Sequence, residues 1–98
     1  MFLGLIVLAC NSKQIQQAKP YENYSGNVFD SSVAIKIAIA NWIPLFGKRV
    51  FKKEPFEVID RDSIWIVSGT LKKGVVGGVP FIKIRKLDGK ILENYHTK

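Results

Sequence analysis

Residues 30–47, Asp30-Ser31-Ser32-Val33-Ala34-Ile35-Lys36-Ile37-Ala38-Ile39-Ala40-Asn41-Trp42-Ile43-Pro44-Leu45-Phe46-Gly47, decide the fold. Asp30, Ser31 and Ser32 place capping oxygens ahead of an unbroken apolar segment, which is a helix start. Ile35, Ala38, Ile39 and Trp42 then fall at the i, i+3, i+4, i+7 spacing of one buried face, with Phe46 a turn further on. Lys36 is the single charge in the segment, so a helix this apolar is covered on more than one side or keeps a second face, around Ile37 and Ile43, for a partner. Pro44 lacks the amide hydrogen that continues a helix and predicts a kinked or separate last turn, with Gly47 as the stop.

Downstream of Gly47 the apolar period changes from helical to two. Arg49 to Lys52 reads as a short extended piece, and Pro55 to Ile59 as a strand with proline at its start. Arg61-Asp62-Ser63 reads as a turn into Ile64 to Thr70, the segment richest in β-branched and aromatic residues. Leu71 to Gly78 is a loop whose glycines supply backbone freedom. Val79 to Lys86 alternates, with Phe81, Lys83 and Arg85 on one face and Ile82 and Ile84 on the other. Asp88-Gly89 is a hairpin signal leading into Lys90 to Tyr95. One helix followed by a three- or four-stranded antiparallel meander is an α+β domain, with the sheet curled across the helix and Trp42, Phe46 and Trp65 buried between them.

Upstream of Asp30 the chain is different in kind. Residues 2–9 are a continuous apolar run ending at Cys10, too short to span a bilayer and of the length of a signal-peptide core. The tail Val7-Leu8-Ala9-Cys10 resembles the lipobox of bacterial lipoproteins, which implies residues 1–9 as a signal peptide and Cys10 as the lipidated residue. The run opens Met1-Phe2 without the Lys or Arg of a signal peptide, so either the true start lies upstream or the segment is a poor signal. The competing reading is a free cysteine packed as a small hydrophobe. Residues 10–29 carry no apolar period and read as a flexible tether. Tyr21 and Tyr24 are its exceptions, able to pack on the domain or meet lipid headgroups. The expected organisation is therefore signal (1–9), tether (10–29) and domain (30–98), at the cell envelope, or in the cytoplasm if the run is not a signal.

The chain has 98 residues, a formal charge of +7 and one cysteine. That length holds one domain and the cysteine count excludes an internal disulfide framework. The charge favours an anionic partner. Its cations are scattered, with no helix-turn-helix or zinc-finger spacing, so nucleic acid is not expected. His96 is the only histidine and lacks the companions of a metal or triad site. Asp60, Asp62 and Asp88 read as turn residues, and the glycines at 74, 77 and 78 lack P-loop spacing. No cofactor, metal or catalytic group is expected.

The pieces AIKIAIANWIPLFGK (34–48), SIWIVSGTL (63–71), GGVPFIKI (77–84) and LDGKILENYHTK (87–98) together resemble the bacterial immunity proteins with a nuclear-transport-factor-2-type fold. The resemblance covers residues 31–98 and implies a small domain that binds and neutralises a cognate toxin, without catalysis. Trp-x-Val followed by a Gly-rich loop and an Asp-Gly turn also resembles cystatin-like peptidase propeptides. That leaves a second reading, a lipoprotein module binding an envelope protein or polymer. A small enzyme of the same fold is a third, for which few acid-base groups exist. With one long helix, the deep conical pocket of a full-length fold of this type is in doubt. The partner face is expected at Lys72, Lys73, Val75 and Val76 of the loop and Lys83 and Arg85 of the following strand, meeting an acidic toxin surface.

Overall fold

The computed structural model describes residues 21–74 and 76–98. Helix α1 spans Ser31–Phe46, a 3₁₀ segment Lys48–Lys53, and strands β1 to β4 span Glu57–Arg61, Ile64–Ser68, Pro80–Arg85 and Ile91–His96. The four strands pair in chain order as an antiparallel meander with α1 packed on one face. This is the α+β architecture that the change of period implies.

The start of α1 is built as its sequence requires. Asp30 Oδ1 accepts a hydrogen bond from the Val33 amide at 3.1 Å and from Ser32 Oγ at 2.7 Å. These bonds, the Ser32 one foremost, hold the Asp30 carboxyl below its ordinary pKa. At the other end the helix runs through Pro44 without breaking, and Gly47, at φ 79°, returns its amide to the Ile43 carbonyl. The expected separate last turn does not form. Pro44 only forfeits a bond to Ala40, and a turn that close to the terminus has little ladder left to lose.

The buried face of α1 also differs from the expected one. Ala34, Ile37, Ala38, Ala40 and Trp42 are buried, whereas Ile35 and Ile39 are half-buried. Ile37 is therefore core, and the face around Ile37 and Ile43 is not open to a partner. Its small residues let the sheet approach closely, with Trp65 and Val67 of β2 and Ile82 and Ile84 of β3 filling the space. Arg49 to Lys52, read as extended, lies in the 3₁₀ segment, where Val50 turns into the core.

Residues 21–29, read as the end of a tether, belong to the folded body. Val28 is 3% exposed and part of the core. Its amide donates to the Lys86 carbonyl at 2.8 Å, and the Gly26 amide to that of Asp88 at 3.1 Å. Tyr21 and Tyr24 stack at 5.8 Å and pack against the core. Residues 21–29 thus form a strap against the β3–β4 turn. Cys10 and the rest of the expected signal and tether lie outside the described residues.

Two glycines do more than loosen a loop. A Cβ on Gly78 would lie 1.7 Å from the Thr97 carbonyl oxygen, so the close pass of the β2–β3 loop against the C-terminus requires glycine there. Gly89, at φ 79°, lets the β3–β4 turn close and would meet Tyr24 if it carried a side chain. Past this turn, Lys83 faces Glu93 and Ile84 faces Ile91, so Leu92 is a bulge residue in the edge strand.

Candidate partner-binding surfaces

One face of the sheet is filled by α1, and among the described residues no element packs over the other. Strand pairing sets what that outer face carries, because directly opposed residues point the same way. Ile59, Ile66, Lys83 and Glu93 form one row, and Glu57, Ser68, Phe81 and Tyr95 the next. A third row joins Arg61, Ile64 and Arg85. Ile59 is 43% and Tyr95 44% exposed, while Ile64, Ile66 and Phe81 are half-buried. The Phe81 and Tyr95 rings lie 4.9 Å apart. An antiparallel sheet with one solvated face ordinarily shows polar residues there. Here Ile66 and Phe81 share the middle of the face with Ser68 and Lys83, and Ile59 and Tyr95 carry the apolar surface out to the two edge strands.

Lys83 and Arg85 lie on this face, as their alternation requires. Neither is a free cation: Lys83 Nζ pairs with Glu93 at 3.4 Å, and Arg85 grips Asp88 with two bonds of 2.9 and 2.6 Å. The Arg85 fork, with the Lys90 amide behind it, pulls the Asp88 carboxyl down to about 2, and Asp88 in turn raises the Arg85 pKa. Lys72, Lys73 and Val76 are elsewhere. Arg85 pairs with Ile64 at one end of β2, and the loop leaves from Ser68 at the other, roughly 13 Å away at the rise of a strand. The two halves of the expected partner face are thus separate places. Val75 lies outside the described residues.

What the loop lysines do adjoin is the 3₁₀ segment. The Thr70 amide donates to the Lys53 carbonyl at 2.8 Å, and a groove of about 430 Å³ is lined by Lys52, Lys53, Thr70, Leu71 and Lys72. Lys48, Arg49, Lys52, Lys53, Lys72 and Lys73 therefore share one end of the molecule. The ion pairs among the described residues engage Lys83, Arg85 and Lys86 and none of these six.

The polar residues weighed for chemistry have structural partners. His96 sits edge-on to Phe46 at 5.3 Å, with Nδ1 2.8 Å from the Thr97 carbonyl oxygen. Asp60, read as a turn residue, lies in β1 and pairs with Lys86, whose ammonium also sits 4.6 Å over the Trp65 ring. Among the described residues no group of three His, Cys, Asp or Glu side chains is placed to hold a metal, and no helix is long and apolar enough to cross a membrane.

The sequence model of a family described as NTF2 fold immunity protein matches residues 33–98. The chain belongs to the NTF2-fold immunity protein family. The match takes in α1 from Val33 onward, the 3₁₀ segment and all four strands, and so both surfaces described above. The chain is also 32% identical over 73 residues to the uncharacterized protein YhhH of Escherichia coli strain K12, an alignment covering 72% of this chain and 58% of that protein. The chain thus spans little more than half the length of this relative. No solved structure matches it.

Proposed function

We propose that this immunity protein neutralises a cognate toxin by covering it with the outer face of the sheet, while a lipid on Cys10 holds the complex at the cell envelope. The observation that carries the reading is the band of apolar residues that crosses that face, Ile59, Ile66, Phe81 and Tyr95, with no described element packed over it. Four strands of five or six residues span roughly 300 Å² in projection, less than the ~800 Å² per partner of a standard interface. The face therefore supplies the centre of a contact, and surrounding residues the rim. Lys83 and Arg85 stand beside the apolar residues in satisfied ion pairs, where they discriminate partners more than they attract them. Lys72 and Lys73, with Val76, extend the contact at one end and steer an acidic toxin surface towards it. Inhibition of this kind is steric and needs no chemistry from the immunity protein.

The test is binding to the cognate toxin. Ile66→Lys places a charge at the centre of the apolar face without touching the helix side of the sheet. It is expected to abolish protection and to lower affinity by at least a hundredfold, as loss of a central anchor does. Wild-type affinity in a folded Ile66→Lys protein rules the sheet face out. Intact-mass analysis of the protein from its native host tests the tether separately, since lipidation predicts a chain that begins at Cys10 and carries acyl groups.

A further inference from the structure

We propose that the end of the molecule formed by the 3₁₀ segment and the β2–β3 loop is a binding site for a carboxylate-rich protein segment, distinct from the sheet face. Two grooves meet there. One, of about 230 Å³, is lined by Phe46, Arg49, Val50, Lys53, Gly78 and His96. The other carries Lys52, Lys53 and Lys72 with Leu71, and Lys53 borders both.

The dipole of α1 explains only part of this charge. Cations just past a helix C-terminus are stabilised by its partial negative charge, but the effect fades within a turn. It accounts for Lys48 and Arg49 and leaves Lys52, Lys53, Lys72 and Lys73 without a structural reason. Glu54 is the acid adjoining them in sequence, and it makes no ion pair with them. Placing this many like charges at one end is unfavourable unless an anion joins them.

The lining selects the anion. A 230 Å³ groove lies below the ~300 to 1,000 Å³ of small-molecule sites and is sized for one side chain. Phe46 and Val50 offer an apolar wall to an aliphatic stem, and the Arg49 fork matches a carboxylate in two-bond geometry. Leu71 beside the lysines repeats the combination in the second groove. Binding single-stranded nucleic acid takes exposed aromatic platforms for stacking. The aromatic rings here, Phe46 and Phe51, are both half-buried and leave edges rather than open platforms. A peptide bearing successive Glu residues fits both grooves at once.

The experiment measures anisotropy of a fluorescein-labelled oligoglutamate peptide with the full chain at low ionic strength. Arg49→Gln/Lys52→Gln/Lys72→Gln removes three exposed charges from the site. Lys36→Gln/Arg61→Gln/Lys90→Gln removes three exposed charges elsewhere, so the two variants have equal net charge. The site variant is expected to bind about tenfold more weakly than wild type and the control within about twofold. Lys53→Gln, which keeps the packed stem, should show the same direction, with unchanged circular dichroism in every variant. Equal losses in the two triple variants mean that the field of the whole protein attracts the peptide, and overturn the site. Wild-type binding to equimolar phosphatidylserine and phosphatidylcholine vesicles without peptide binding also overturns it, in favour of a lipid surface. Ile66→Lys should leave peptide binding intact, so this proposal and the sheet-face proposal fail separately.

Discussion

The indole Nε1–H of Trp65 donates to the carbonyl oxygen of Val28, 3.0 Å away, tying the second strand to the segment ahead of the helix. Trp65 is 8% exposed and packs beneath α1, with Lys86 across its ring. It therefore contributes twice, by burial and by satisfying a backbone acceptor. Trp65→Ala should cost ~3 to 5 kcal/mol in chemical denaturation. Trp65→Phe keeps most of the burial and leaves the Val28 carbonyl unpaired, for ~1 to 3 kcal/mol. A chain starting at residue 30 should show much of the same loss, because it removes both Val28 and the acceptor. A start at residue 30 that leaves stability unchanged would show that the strap contributes nothing.

That strap shows where composition stops being informative. Residues 21–29 attach through the side chains of Val28, Tyr21 and Tyr24, too few to set a period, and through backbone amides of Gly26 and Val28, and main-chain bonds leave no pattern of side-chain types. The strands were legible because alternation is strict where one face is buried, and Phe81, Lys83 and Arg85 do lie opposite Ile82 and Ile84. The face of α1 was not. With Val33, Ile35, Ile37 and Ile39 interleaved by alanines, several helical stripes fit equally, and sheet contact chose the one through Ala34, Ile37 and Ala38. Ile59, Ile66 and Tyr95 were overlooked as surface, although their phase opposite Val58, Val67 and Asn94 marked them. The basic end was hidden for another reason: it joins segments far apart in sequence through the bond between Thr70 and Lys53.

Gly78 is predicted to tolerate no side chain. The methyl of Gly78→Ala would stand within bond length of the Thr97 carbonyl oxygen, and the obstacle is backbone that cannot rotate away. The loop or the C-terminus must shift, breaking the bond from the Thr97 amide to Val79 at 2.9 Å. A loss of ~2 to 3 kcal/mol is expected, as for severe overpacking, and about 10 °C or more in melting temperature for a domain this size. Gly74→Ala meets no atom, though its φ of 82° adds backbone strain, and it should cost less. Equal melting temperatures for Gly78→Ala and wild type would contradict the close approach.

Acid sensitivity should centre on the β3–β4 turn. The Arg85 fork, then the Lys90 amide, hold Asp88 at about 2, below an unfolded value of ~3.9. Because the folded pKa is the lower one, the ionised carboxylate stabilises the fold above pH ~4, and that contribution fades as pH falls towards 2. Asp30, lowered by Ser32 and Val33, acts in the same direction. The melting temperature is expected to drop across this window, and Asp88→Asn should flatten the drop while lowering the neutral-pH value. An acid slope in Asp88→Asn as steep as in wild type would assign the sensitivity to other groups.

Charge reversal should separate the two halves of the basic surface by their effect on folding. Lys72 and Lys73 are exposed and make no ion pair among the described residues, so Lys72→Glu with Lys73→Glu should leave stability within ~0.5 kcal/mol. Lys83→Glu with Arg85→Glu places a carboxylate opposite Glu93 and another beside Asp88, turning two attractive pairs into repulsive ones across and beside the β3–β4 pairing. Its melting temperature should fall by a few degrees, and added salt should recover part of the loss by screening. In toxin binding the order is reversed. The Lys72 and Lys73 variant should associate more slowly at low salt, because unpaired cations steer, while the Lys83 and Arg85 variant should mainly dissociate faster, because its change sits beside the apolar contact. Thermal melts and association rates across a salt series measure both. Identical melts for the two variants would mean that the Lys83 and Arg85 pairs do not persist in solution, and equal association rates would remove the loop from the encounter.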